Sequence, residues 1–341
     1  PEGKLTPITL TDQKVEEQFK TIFAELESGT VDSMLQVSLA LHQLLTLCAQ
    51  GLLNQEQTES NQQVIQQAAQ AIREKYNQPL SLNDLLRQAH MSRSYFLRLF
   101  RRYMGTTPYN YLISTRITQA KALPDSVGKF IALGKALSRQ LRYREAIDAY
   151  TEGLKLEPES LPLLRLRAGR YLTTLQSDLA IADFEKCLSL GADKPDCLYR
   201  IGLAHYYAGR YMQAIEMFEN CMPLCDEEMG IAVMYWHTLS AARAKKPPAL
   251  LKDYHPGMAV GHHTVYEKAM QVWSGTTPLP AMLQMPEDEK DDLEYSIVLY
   301  GLLQYPDCDE QECLYEKLLS RGGFWPSFAY LAAWNDRSRA L

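Results

Sequence analysis

The stretch Ser81-Leu82-Asn83-Asp84-Leu85-Leu86-Arg87-Gln88-Ala89-His90-Met91-Ser92-Arg93-Ser94-Tyr95-Phe96-Leu97-Arg98-Leu99-Phe100-Arg101-Arg102-Tyr103-Met104-Gly105 decides how this chain reads. Ser81 and Asp84 stand three apart ahead of an apolar run, the spacing of a capping box with Asp in the place more often held by Glu. Leu82, Leu85, Leu86 and Ala89 share one helical face, and His90-Met91 follows as a short turn. Ser92 suits the N-cap of a second helix. There Phe96, Leu99, Phe100 and Tyr103 recur at i, i+3, i+4 and i+7, the spacing of a core stripe. Ser94, Leu97, Arg98 and Arg101 recur at the same spacing on the opposite side. Gly105 stops the helix and Pro108 confirms the stop. The reading is helix, tight turn, helix, with a cationic outer face on the second, a shape that fits the major groove of DNA.

Charge singles out the same region. The whole chain of 341 residues carries a formal net charge of −6. Residues 61–123 hold nine Lys/Arg against two Asp/Glu, whereas residues 1–60 hold three against nine and residues 124–341 hold 23 against 30. One basic island between two acidic stretches is the electrostatic footprint of a nucleic-acid contact. A helical core decorated with surface arginines is the plainer alternative, but it leaves the separation of faces unexplained.

These residues carry a family resemblance. The run Leu80 to Leu85, then Met91 to Phe100, then Gly105-Thr106-Thr107-Pro108, Tyr111-Leu112, Arg116 and Ala120 resembles the AraC-type transcriptional regulators over about 50 residues. The resemblance implies that Ser94, Leu97 and Arg98 read base edges and that Arg93, Arg101 and Arg102 contact the DNA backbone. Thr118-Gln119-Ala120-Lys121 would begin a long helix joining two such units. Two positions depart from the family: Leu86 stands where Ala is usual, and His90 where Gly is frequent. His90 is read as a tolerated surface residue rather than a sensor. The larger departure is that the family has two units in tandem and no second one follows Lys121. Gly275-Thr276-Thr277-Pro278 repeats four letters without the Phe- and Arg-rich helix, a coincidence.

After Pro124-Asp125-Ser126 the chain becomes repetitive. Ala146, Ala180 and Ala214 are spaced by 34, each in a similar phrase, followed four residues on by Tyr150, Phe184 and Phe218. Twelve residues earlier stand Gly134, Ala168 and Gly202, small enough for two helices to approach closely. Period and pattern resemble tetratricopeptide repeats, with three copies over residues 127–228 and degenerate helical repeats with a cap over 229–341. By that resemblance the first helix of each repeat lines a concave face that binds a peptide or protein. Lys135, Arg139, Arg165, Tyr199 and Tyr206 would lie there, in a basic and aromatic groove suited to an acidic or aromatic peptide. Tyrosines that only pack and cations that are only solvated form the alternative.

The N-terminal part also has helical period. Val15, Phe19, Ile22, Phe23 and Leu26 form one stripe that stops at Ser28-Gly29; Val37, Leu41, Leu44, Leu45, Cys48 and Leu52 form a second. Residues 1–53 read as a hairpin, either a packed mini-domain, a dimerisation element or the remnant of an upstream domain. The polar run 54–60 reads as a linker. The chain opens on Pro1 rather than Met, so its natural start is expected to lie upstream. The abrupt change near Leu123 is what a deletion, a fusion or partial coverage of a longer regulator would leave.

Other chemistry is not expected. No apolar run approaches the roughly 20 residues of a membrane span, and no signal-peptide pattern is visible. Seven Cys without framework spacing favour a reducing cytoplasm. No phosphate loop or nucleophile–base pairing appears, so the chain reads as neither an enzyme nor a cofactor protein. His255, His262 and His263 lack a nearby carboxylate or Cys at ligand spacing. Cys221 and Cys225, i and i+4 on a helix, read as idle thiols rather than metal ligands, as do Cys308 and Cys313. The expectation is an all-α chain, a helix-turn-helix DNA-binding unit followed by an α-solenoid. It would be a regulator that binds double-stranded DNA as a homodimer and a peptide or protein through its repeats. A scaffold built on the solenoid, with a vestigial DNA-binding unit, is the alternative.

Overall fold

The computed structural model describes residues 13–28, 31–283, 292–306, 308–320 and 327–340. Every regular element among them is helical. The chain divides into two compact units, residues 1–116 and 117–341.

In the first unit, α1 (Gln13–Ser28) packs on α2 (Val31–Glu74). Their shared core is small: Ile22, Val37 and Ala40, with Leu44 against it. Much of both apolar stripes stays outside, with Phe23 65% and Leu45 68% exposed. Gly29 and the side chain of Leu52 lie outside the described residues. Residues 54–60, read from their polarity as a linker, are helical and continue α2 without a break. From Leu52 to Glu74 there is no Gly or Pro, and Gln and Glu are good helix formers, so nothing stops the helix. Apolar period returns at Ile65, Ala68, Ala69 and Ile72, and these buried residues tie the end of α2 to the core of the next three helices.

Those helices are α3 (Leu82–Ala89), α4 (Arg93–Met104) and α5 (Pro108–Ala122). Phe96 and Phe100 are fully buried at the centre of the core, with ring centroids 5.8 Å apart, beside Leu85, Ala89, Leu99 and Leu112. The capping box forms as expected. Ser81 Oγ accepts from the Asp84 backbone N–H at 3.2 Å, and Asp84 Oδ2 accepts from the Ser81 backbone N–H at 3.0 Å. Ser92 holds the extended N-cap conformation of α4, but its hydroxyl makes no capping hydrogen bond. Gly105 ends α4 in the left-handed region at φ 71°. Thr107 Oγ1 then accepts from the Asn110 N–H at 3.2 Å and Pro108 takes the first position of α5.

The second unit begins with three helix pairs: α6 (Val127–Arg139) with α7 (Tyr143–Leu156), α8 (Leu161–Thr173) with α9 (Ser177–Ser189), and α10 (Lys194–Tyr207) with α11 (Tyr211–Cys221). The 34-residue period has a direct cause here. A Cβ on Gly134 would overlap the Tyr150 ring, and one on Gly202 would lie 2.6 Å from Phe218 Cε1. Ala168 and Phe184 occupy the equivalent places in the middle repeat and are both fully buried. The turn inside each pair carries a left-handed residue at the same period: Leu141 (φ 60°), Leu175 (φ 58°) and Gly209 (φ 77°).

The regularity ends at α12 (Glu227–Arg243), where every residue from Gly230 to Ala241 is buried. The bulky Tyr235 and Trp236 occupy its middle, where the earlier repeats have a small residue. It is not followed at once by a paired second helix. Two 3-10 turns, Ala249–Asp253 and Gly261–His263, intervene before α13 (Thr264–Trp273) and the short α14 (Leu279–Leu283). Then α15 (Asp292–Leu303) brings Gly301 against Tyr235, where a Cβ would lie 2.7 Å from the ring. The helices α16 (Gln311–Leu319) and α17 (Phe328–Ala340) complete the unit. The fold is all-α, a helix-turn-helix unit followed by an α-solenoid of tetratricopeptide-like pairs.

Candidate nucleic-acid interface and repeat groove

Burial of Phe96, Leu99 and Phe100 fixes the rotation of α4 and turns its other side to water. Arg93, Ser94, Arg98, Arg101 and Arg102 are exposed there. Leu97 is half-buried: it reaches the outer face but also lines an apolar cavity of about 120 Å³ with Leu80, Leu82, Pro108 and Leu112. Tyr95 supports the exposed edge from below. Its hydroxyl accepts from Asn61 Nδ2 at 3.0 Å, and the Arg98 guanidinium lies over its ring, 5.2 Å from the centroid. Arg102 lies likewise over Tyr103 at 5.8 Å.

None of the four arginines of α4 has a carboxylate partner among the described residues, whereas Arg87 of α3 pairs with Asp84. Four uncompensated cations on one exposed face make a local positive field. Other basic residues of this unit serve as struts. Arg116 Nε donates to the Tyr76 carbonyl at 2.7 Å and its Nη2 to the Gln78 carbonyl at 3.2 Å, fastening the loop before α3. Arg73 Nη1 donates to the Tyr111 hydroxyl at 3.0 Å. Arg116 stood out in sequence only as a matching letter; its loop-holding role, and those of Asn61 and Arg73, had no local signal.

Residues 72–112, from the end of α2 to the start of α5, match the family model of bacterial regulatory helix-turn-helix proteins, AraC family. This segment is similar to the AraC-type helix-turn-helix unit. The left-handed backbone of His90, φ 51° and ψ 36°, explains why this family often has Gly there. Leu86, the other departure, packs partly buried against the core.

The chain is also similar to tetratricopeptide proteins. It is 34% identical over 83 residues to the photosystem I assembly protein Ycf3 of Prochlorococcus marinus strain MIT 9215, covering 24% of this chain and 48% of that protein. With Ycf3 of strain MIT 9303 it is 28% identical over 92 residues, covering 26% and 53%. The chain thus spans about half the length of these curated relatives. Among solved structures, YrrB, a TPR protein with an unusual peptide-binding site, aligns with 67% of this chain and 98% of its own, at 13% identity and a TM-score of 0.34. The TPR domain of P58(IPK) aligns with 96% and 92%, at 14% identity and a TM-score of 0.32.

The residues expected to line the repeat groove do not share one open surface. Lys135 and Arg139 are exposed. Arg165 is exposed but paired, its Nη2 3.0 Å from Asp196 Oδ2. Tyr199 and Tyr206 are buried, at 7% and 3% exposure, and so are not groove-lining. Tyr199 packs against Phe218 of α11 and Tyr266 of α13, whereas Tyr206 and Tyr207 are covered by the return of the chain's last helices. Tyr206 and Tyr300 of α15 share a hydrogen bond of 2.8 Å between hydroxyls. Tyr207 donates to the Phe328 carbonyl at 2.9 Å, and Asn335 Nδ2 donates to the Tyr207 carbonyl at 2.8 Å. Asp336 of α17 is the polar centre of this closure, accepting from Arg243 Nη1 at 3.0 Å and from Tyr300 at 2.8 Å. Burial holds the Tyr206 and Tyr300 hydroxyls well above the usual phenol range. Open space remains at the earlier repeats, in a cavity of about 950 Å³ lined by Leu141, Tyr143, Ile147, Leu175 and Trp334.

Among the described residues no helix is long and apolar enough to cross a membrane. Nor do three or more His, Cys, Asp or Glu gather there as a metal site. His263 is used locally, its Nδ1 2.6 Å from the Glu228 carbonyl oxygen.

Proposed function

We propose that this chain is a cytoplasmic transcriptional regulator of AraC type that lays α4 in the major groove of double-stranded DNA. Ser94, Leu97 and Arg98 read base edges, while Arg93, Arg101 and Arg102 hold phosphates. The observation that carries this reading is the set of four arginines without carboxylate partners on the exposed side of α4, set in a stretch that matches the family model. Arginine on such a helix pairs with guanine edges or with phosphate oxygens. The repeats take a peptide or a protein partner, in keeping with the tetratricopeptide likeness. One unit spans about one turn of groove, so two chains act together as a homodimer. The exposed apolar residues of α1 and α2, Phe23 and Leu45 among them, offer a contact for that pairing.

Salt dependence tests the DNA reading. Each phosphate neutralised releases condensed counterions, so log affinity for duplex DNA falls linearly and steeply with log salt concentration. Arg101→Ala is expected to make the slope shallower by about one while weakening all sequences alike. An affinity indifferent to salt would sink the proposal. A second reading, a scaffold with a vestigial DNA-binding unit, is favoured by one observation: helix pairs of the solenoid follow α5 directly, where the family has its second unit. Copurification of a protein partner without any DNA binding would select it.

A further inference from the structure

Two thiols that DNA reading does not use stand side by side where the third repeat ends. Cys221 closes α11, and Cys225 follows a 3-10 turn over Met222–Leu224 that leads into α12. Their Sγ atoms are 3.6 Å apart, within hydrogen-bonding distance for sulfur. Cys221 is fully buried, its thiol 3.3 Å from the Pro195 carbonyl oxygen, while Cys225 is partly exposed. We propose that Cys221 and Cys225 form a reversible dithiol–disulfide site, with Cys225 as the thiol that meets a small disulfide oxidant such as oxidised glutathione and Cys221 as the resolving thiol.

The two sulfurs have the division of labour that such a site needs. The hydrogen bond to Cys225 and burial push Cys221 well above the ordinary thiol range. The same hydrogen bond holds Cys225 below it, against the opposing influence of burial and of Asp226 and Asp193. Cys225 is therefore the sulfur that ionises first, and it is the one that solvent reaches. Closure to a disulfide brings the sulfurs from 3.6 Å to about 2.05 Å, a movement within the range of side-chain rotation.

The chemistry balances. The Cys225 thiolate attacks one sulfur of oxidised glutathione, its S–S bond breaks, and one glutathione leaves as thiolate and takes a proton. Cys221 then loses its proton to solvent and attacks the Cys225 sulfur, expelling the second glutathione. Two protein thiols are oxidised and one glutathione disulfide is reduced to two thiols. The other cysteines differ: Cys187 and Cys197 are buried, with Cys187 pushed up to about 11 mainly by burial, and Cys313 is exposed.

The test equilibrates the full chain in a series of reduced and oxidised glutathione mixtures, followed by acid quench, unfolding, alkylation and tryptic mass mapping. The tryptic peptide Tyr211–Arg243 contains Cys221 and Cys225 and no other Cys. The expected result is a form of this peptide that has lost both alkylation sites together and is about 2 Da lighter, as for an internal disulfide. Cys221→Ser is expected to leave Cys225 trapped as a mixed disulfide with glutathione. Cys225→Ser is expected to leave Cys221 unmodified and alkylatable. The proposal is overturned if the peptide stays doubly alkylated in mixtures that already modify Cys313. It is equally overturned if the unsubstituted chain stops at a mixed disulfide.

Discussion

His90 ends α3 with φ 51° and ψ 36°, a conformation that costs an L-residue roughly 1–2 kcal/mol. Its backbone N–H donates to the Leu86 carbonyl at 3.0 Å, a bond that any residue keeps. Glycine would relieve the backbone but loses more freedom on folding, offsetting about 0.5–1 kcal/mol of the gain. His90→Gly is therefore expected to stabilise the chain slightly, by about 0.5 kcal/mol. Denaturant unfolding followed by circular dichroism measures this; a clear loss of stability would show that the imidazole makes a contact worth more than the strain. The sequence marked His90 as a departure from a glycine position without revealing the sign of φ. Likewise the spacing put Leu97 on the outer face, whereas its partial burial depends on Leu80 and Pro108, which helical period within α4 does not report.

At the scale of elements, close approach between paired helices can be tested by contrast. Gly202 and Gly169 both lie in first helices of repeats, and alanine raises helix propensity by about 1 kcal/mol at either. At Gly169 a Cβ meets nothing within 4 Å, so Gly169→Ala is expected to stabilise. At Gly202 the Cβ would lie 2.6 Å from Phe218 Cε1; overpacking costs about 1–3 kcal/mol and exceeds the propensity gain. Gly202→Ala is expected to destabilise, and equal melting shifts for the two variants would refute the packing account. The cap of α3 supplies a pH test. Hydrogen bonds from Ser81 hold the Asp84 carboxyl below its ordinary range. A depressed folded value means the stabilisation is present above the unfolded value, about 4, and is lost as pH falls through the folded one. Asp84→Asn is expected to remove that part of the acid dependence and leave neutral-to-alkaline behaviour unchanged. Local patterns of this kind were legible in sequence, as were the paired helices. The run 54–60 was not, because polarity alone does not distinguish a linker from a solvent-exposed helix; the absence of Gly and Pro was the usable signal.

For the whole molecule, the repeats were legible from their 34-residue period, whereas the closure of the later repeats was not. Tyr199 and Tyr206 sit at positions that the tetratricopeptide resemblance assigns to an open face. Tyr206 is buried beneath Tyr300 of α15, 94 residues further on, and Tyr199 against Phe218 of α11 and Tyr266 of α13. Contacts so distant in sequence leave no periodic trace. The open cavity instead lies at the earlier repeats beside Trp334. The proposed function stands or falls on base reading by the arginine face of α4. Selection from a library of randomised duplexes with the full chain tests it most directly, run in parallel with Arg98→Ala. The expected result is a short enriched site and, for Arg98→Ala, a loss of about 1–3 kcal/mol on that site with relaxed preference at one base pair. No enrichment, or an equal loss on enriched and random duplexes, would contradict it.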